Sequence, residues 1–493
     1  MTQERLIPEA PIPEVPTGEP TPASPQRPAT RRDQARLYKP VRNQVEMMLR
    51  DLDSLLPDGH LARAIWAFVE RLDLSAFYAP IEALVGEPGH PATDPQVLVA
   101  LWVYATADGI GKARQLDRLC HEHDAYRWLR GGVPINYHML SDFRVEHGQA
   151  LNKLLSELLA AMMAAGLVNP VRVSQDGLRV RASAGASSFR REARLKSLLE
   201  QAQERVKCLA EVSQAEREAD PKQPTTEVDR ASRREQAARQ RAAREREERV
   251  ERALAELPAV RAAKKTEEER EQARVSTTDP EARVMKMPDG GYRPAFNIQY
   301  ATTTDKQVVV GVSVTNRGSE GDEAPPMLEQ VRARTEPQPE PQPKEAPPRL
   351  EPGLEQGVEP GQERAEPQPK EYLIDGGQAT LRTIDKLSEA GVTVYAPTQA
   401  PRGTKRTQAE PRPGDSAAVA AWRARMATEE AKAIYKERAA TSECVNARAR
   451  QHGLYQFVVR GLAKVTCVAL WLAITHDLLR WIALTSGGQG SVG

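Results

Sequence analysis

Aromatic residues are scarce in this chain, 5% of 493 positions, and 38 prolines are spread through it. So much of the length cannot belong to packed core, and two folded domains with tails and insertions fit better than three full domains. An excess of either charge is missing too. Lys and Arg number 69 against 68 Asp and Glu, a net charge of +1, so no global basic field speaks for nucleic acid and any such signal must be local. Cysteines are few: Cys120, Cys208, Cys444 and Cys467 stand far apart without metal-ligand spacing, as expected in a reducing cytoplasm. The N-terminus has no basic-then-apolar signal pattern. The most apolar stretch, Val465 to Leu479, contains His476 and Asp477 and is too short for a bilayer. The expectation is a soluble cytoplasmic protein with no membrane partner. No Gly-rich phosphate loop and no convincing nucleophilic Ser or Cys is present.

What is present centres on Tyr372-Leu-Ile-Asp-Gly-Gly377. A short apolar run stops at Asp375, and the glycines let the backbone turn beside a carboxylate. A helix follows on Leu381, Ile384 and Leu387, closed by Gly391, and then a strand over Val392 to Tyr395. A carboxylate at the carboxyl end of the first strand of a strand–helix–strand unit is an α/β active-site layout. An Asp-Gly turn explains one such residue equally well, but the pattern recurs. Val171 to Ala182 alternates apolar and polar with Asp176-Gly177 in its middle, and a long helix is expected from Ala418 to about Arg450, on which Glu443, Asn446 and Arg450 share one face at i, i+3 and i+7.

Around these lie other materials. Residues 1–36, rich in Pro, Glu, Thr and Ser, read as a disordered tail whose basic end includes Arg31, Arg32 and Arg36, read as a solvated tail or as a phosphate-binding arm. Residues 37–166 form short helices joined by Gly turns, an all-α module of the kind that reads DNA. Cys120-His-Glu-His123 looks like a metal cluster, yet adjacent helical residues point apart, which argues against one. Residues 167–484 form the α/β part, with two insertions. One, at 189–275, is an Arg/Glu/Ala weave expected to be helical. The other, at 335–371, is Pro/Glu/Gln-rich and repeats Glu-Pro-Gln-Pro-Lys-Glu at 340–345 and 366–371, as a surface loop would. Residues 485–493 are a flexible tail.

Two carboxylates on strands and one on a helix suit a two-Mg²⁺ site for phosphoryl transfer, because hard Mg²⁺ takes carboxylate oxygens. The same residues carry a resemblance. Together with Gly89-His-Pro-Ala-Thr-Asp-Pro95, Tyr137-His-Met-Leu-Ser-Asp-Phe-Arg144, Asp279-Pro-Glu-Ala-Arg-Val-Met-Lys286 and Tyr435…Arg438…Glu443…Arg450, they make the chain similar to the Asp-Asp-Glu transposases of bacterial insertion sequences. The resemblance implies a ribonuclease-H-like catalytic core behind an all-α N-terminal DNA-binding domain. It also implies an enzyme that cuts element ends and joins them to target DNA. By the same resemblance, Asp176, Asp375 and Glu443 are the catalytic metal ligands for two Mg²⁺, with Mn²⁺ able to replace it. Tyr435, Arg438 and Arg450 are DNA-contacting residues, with Arg450 where the family has Lys. Double-stranded DNA, as terminal inverted repeats and as target, and a second copy of the chain are the implied partners. A nuclease of the same fold and a non-catalytic DNA-binding relative are the competing readings.

Overall fold

The structure is a computed structural model that describes residues 50–83, 91–219, 227–336, 368–398 and 410–486. Arg31, Arg32 and Arg36, both repeat units up to residue 367, and the tail from 487 lie outside the described residues. The chain divides into two compact units, Met1–Arg50 and Asp51–Gly493, and every helix and strand of the described residues lies in the second.

Seven helices open it: α1 (Leu61–Val69), α2 (Ser75–Tyr78), α3 (Pro95–Ala107), α4 (Ala113–Glu122), α5 (Asp124–Arg130), α6 (Tyr137–Glu146) and α7 (Gly148–Ala164). Their starts are written in the sequence. Asp94 accepts the Gln96 N–H ahead of Pro95, and Asn136 accepts that of Met139. His123 caps α5 in the same way through Nδ1, so the Cys120–His123 run is helix punctuation, and no metal cluster forms there. Helix α3 is buried on almost every side, and Trp102 donates to the Leu140 carbonyl at its centre.

Eight strands follow: β1 (Arg172–Arg181), β2 (Phe189–Arg190), β3 (Val275–Ser276), β4 (Arg283–Lys286), β5 (Tyr292–Thr303), β6 (Val309–Thr315), β7 (Glu371–Leu373) and β8 (Thr393–Tyr395). Six make one mixed sheet. β5 pairs antiparallel with β1 on one edge and with β4 and β6 on the other, while β1, β7 and β8 run parallel. The helices interleaved with the sheet are α11 (Ala324–Thr335) and α12 (Leu381–Glu389) on one face. On the other lie α13 (Ala417–Ala427), α14 (Glu429–Arg438), a π-helical turn (Ala439–Glu443), α15 (Cys444–Gln451) and α16 (Leu462–Ser486). The long helix expected over 418–450 is therefore three helices and a π turn. Gly311 in β6 explains how closely α11 packs: a Cβ there would collide with Met327 Sδ and sit 3.1 Å from Val331.

The weave at 189–275 is an arm. Helices α8 (Glu192–Ala219) and α9 (Glu227–Ala262) lie antiparallel, Arg261 pairing with Glu192 at 2.6 Å near one end and Gln240 donating to the Leu209 carbonyl farther out. A small apolar cluster of its own, built on Leu195, Val250 and Leu257, holds it, with the short helix α10 (Glu267–Glu271) on the return. The pair β2–β3 closes its base.

Helix α16 ties the unit together. It is long and apolar enough to cross a membrane, unlike the shorter stretch marked in the sequence, but 72% of its most apolar window is buried inside the protein. Trp471 donates to the Arg144 carbonyl in α6, and the Ala469 carbonyl accepts the Tyr300 hydroxyl of β5. Two acids cap its start: Asp279 accepts the Gly461 N–H and Glu281 that of Leu462, favourable at a helix N-terminus.

Candidate active site

Strand register sets the site. Ser174 of β1 and Leu373 of β7 are the last parallel pair, and Asp176 and Asp375 each lie two residues further on. The two carboxylates thus both lie just past the end of the parallel β1–β7 pairing, Asp176 in mid-strand because β1 continues beside β5, at the edge where ligands of α/β sheets collect. Past Leu373 the chain turns away: Asp375 Oδ1 accepts the Gln378 N–H at 2.8 Å, and a Cβ at Gly377 would sit 3.3 Å from that oxygen.

Helices α14 and α15 lie over Asp176. Arg438 Nη2 donates to Asp176 Oδ1 at 2.7 Å and Asn446 Nδ2 to Oδ2 at 2.9 Å. On an uninterrupted α-helix, residues eight apart point about 80° away from each other. The π turn between them takes up one extra residue and cuts that angle to about 20°, so both reach the same carboxylate. It also turns Ser442 inward, where its hydroxyl meets that of Ser174 at 2.6 Å, and leaves Glu443 exposed.

Burial raises the pKa of Asp176. Arg438 and the Gly177 N–H oppose this, and the charges of Asp375 and Glu443 push it further up. Asp176 therefore feels the charge of both Asp375 and Glu443. Tyr435 belongs to the same group: burial raises its hydroxyl's pKa, Arg438 lowers it, and Asp375 and Asp176 raise it again. Arg450 is exposed on α15, and it makes no ion pair among the described residues.

The sequence reading missed a layer beneath the acids. Tyr372 donates to Gln175 Oε1 at 2.8 Å, and Gln175 and Gln378 both donate to Gln299 Oε1 at 3.0 and 2.8 Å. All four side chains are fully buried. A fourth acid, Glu320, also acts on this site, its pKa raised by burial, by Asp375 and, behind the opposing Arg179, by Asp176. Alternation marked the strands, but nothing in the pattern joined residues 175, 299, 320 and 378, which meet only once β5 pairs with β1.

Carboxylate oxygens are the donors Mg²⁺ or Mn²⁺ takes, and four acids with two guanidiniums, Arg438 and Arg179, among them form a group a further cation would relieve. In the present arrangement no three His, Cys, Asp or Glu side chains among the described residues close on one ion. Both oxygens of Asp176 are engaged by Arg438 and Asn446.

Comparison with known families gives two matches. Residues 50–146 match the family described as Transposase domain (DUF772), and residues 398–482 match Transposase DDE domain. The second segment contains Tyr435, Arg438, Glu443 and Arg450; Asp176 and Asp375 lie outside both. No curated protein and no solved structure matches the chain.

Proposed function

We propose that this chain, which its two matched domains support as an insertion-sequence DDE transposase, cleaves DNA at the ends of its element and joins the freed ends to target DNA by a two-metal Asp-Asp-Glu mechanism. The observation that carries this reading is the common level of Asp176 and Asp375 on adjacent parallel strands, with Glu443 acting on the same carboxylate. The sheet order, three antiparallel strands continuing into three parallel ones, supports a ribonuclease-H-like core.

In cleavage a water oxygen bonds to phosphorus as the P–O3′ bond breaks, and the 3′-oxygen leaves with a proton. In joining, the oxygen of that 3′-hydroxyl bonds to a target phosphorus as the target P–O3′ bond breaks, and its proton goes to the released target 3′-oxygen. Divalent cations, when bound, supply activation of the attacking oxygen and charge relief at the leaving one. The chain's part is to hold them through Asp176, Asp375 and Glu443. Arg438 offsets the burial of Asp176 and favours its ionised form. Arg450, Tyr435 and Arg438 face DNA beside the acids, and Arg31, Arg32 and Arg36 grip phosphates from the N-terminal segment. The partners are double-stranded DNA, as inverted repeats and as target, and a second copy of the chain, acting in the cytoplasm.

A non-catalytic DNA-binding relative is the second reading, favoured by the engagement of both Asp176 oxygens. Incubating the protein with Mg²⁺ and DNA from either side of its gene separates the two. Specific nicking and joining, lost in Asp375→Asn while DNA binding persists, supports catalysis. Normal DNA binding with no Mg²⁺-dependent cleavage supports the second reading, and wild-type cleavage by Asp375→Asn removes Asp375 from the site.

A further inference from the structure

Glu320 lies outside both matched segments, in the connection between β6 and α11. It reaches the strand ends from the face of the sheet opposite Asp176, the face shared by Gly177, Arg179, Asn297 and Gln299. Its side chain is only 11% exposed. A Cβ on Gly177 would sit 2.5 Å from Gln299 Nε2, 2.7 Å from Glu320 Oε1 and 2.9 Å from its Cδ, so a side chain at the position after Asp176 would displace both side chains from where they lie. The approach is open because β7 stops at Leu373 while β1 runs on to Arg181. Asn297 Nδ2 and Arg179 Nη2 hold Oε1 at 3.2 and 3.3 Å, and Oε2 carries no hydrogen bond among the described residues.

An ion pair with Arg179 is the plainer account of Glu320, but it leaves the placement unexplained. Arg179 already donates to the carbonyls of Lys286 and Gly318. Residues 320–321 pack on the turn after Asp375, where Thr383 Oγ1 donates to the Gly321 carbonyl and a Cβ on Gly321 would sit 4.0 Å from the Gly377 carbonyl oxygen. Burying an acid there is unfavourable unless a cation comes to the group. Mg²⁺ sheds its water reluctantly and is held partly through it, which suits an acid set just behind the direct ligands.

We propose that Glu320 is a fourth carboxylate of the metal site, acting through cation-bound water on the side of Asp375, and that Gly177 is the gap that admits it. This rests on the two-metal reading given above. Partners of this kind change metal affinity by about 10- to 100-fold.

The test is Mn²⁺ titration of the full-length chain, followed by electron paramagnetic resonance, for wild type, Glu320→Gln, Glu320→Asp and Asp375→Asn. Glu320→Gln keeps the shape and the acceptor for Asn297 and Arg179. The expected result is Mn²⁺ affinity about 10- to 100-fold weaker, partly restored in Glu320→Asp, with DNA affinity unchanged. The melting temperature without metal should be no lower than wild type. Wild-type Mn²⁺ affinity in Glu320→Gln, alongside weakened binding in Asp375→Asn, would overturn this proposal alone. Wild-type affinity in Asp375→Asn as well would overturn the metal reading and this proposal with it. Loss of cooperative unfolding in Glu320→Gln would make Glu320 a structural partner of Arg179 and overturn it too.

Discussion

The end of the parallel β1–β7 pairing and the seam where α16 meets α3, α6 and α7 are built from opposite materials. The seam is close-packed hydrocarbon, with Trp471, Ala469 and Leu478 of α16 buried against the helices and the sheet. The site gathers acids over a layer of buried amides, several of them incompletely bonded: Gln299 Nε2, Gln378 Oε1, Asn446 Oδ1 and Asn297 Oδ1 have no partner among the described residues. Each such atom costs about 1–3 kcal/mol. Stability comes from the seam and is given up at the site, as expected where a surface is shaped for a ligand rather than for folding.

The widest separation of the two regions should come from Asp375→Asn. Cleavage should fall on the order of a thousandfold, the scale on which one preorganised electrostatic group counts, while the denaturant midpoint stays near wild type. A matching loss of stability would show that Asp375 belongs to the fold. Trp471→Ala should do the reverse, removing about 3–5 kcal/mol of folding free energy in equilibrium denaturation.

Asp477 is one of the polar groups buried along α16, with Thr475 and His476, and it gives a pH test. It is fully buried, accepts the Val309 N–H at 2.8 Å, and burial raises its pKa well above the carboxylate range, Arg334 only partly opposing. A raised carboxyl contributes stability below its unfolded pKa and loses it as pH rises through the folded one. Asp477→Asn keeps the acceptor and does not titrate, so its stability relative to wild type should grow from pH 5 to pH 8.5 in paired melts. A constant difference would mean that Asp477 is already ionised in the folded protein at pH 5 and that its pKa is not raised. The smallest effect belongs to Arg450→Ala: DNA affinity several-fold weaker in a binding titration, with the Mg²⁺ requirement for cleavage unshifted. A raised Mg²⁺ requirement with normal DNA binding would instead make Arg450 an organiser of Glu443.

Much of this was legible in the sequence because it is local. Asp94-Pro95, the alternation of β1 and the apolar run ending at Asp375 each specify their element within a few residues. The π turn was not legible, since Ala439 to Glu443 has no residue that demands it; contacts to Ser174 and Asp176 do. For the same reason the helix expected over 418–450 came out in pieces. Glu320 and the amide layer depend on contacts between residues more than a hundred positions apart, as between Gln175 and Gln299, which no periodicity reports.

The two-residue ladder of β2 and β3 has a wider consequence. It brings residue 190 beside residue 275, so everything from 191 to 274 hangs from a closed base. For a flexible connection, each doubling of length between fixed ends costs only about 0.6 kcal/mol. The arm can therefore lengthen, shorten or be exchanged over evolutionary time while β1 keeps its register with β5 and β7. On the proposed function, the sheet carries the chemistry, and the arm is the part of the chain free to change what that chemistry is brought to.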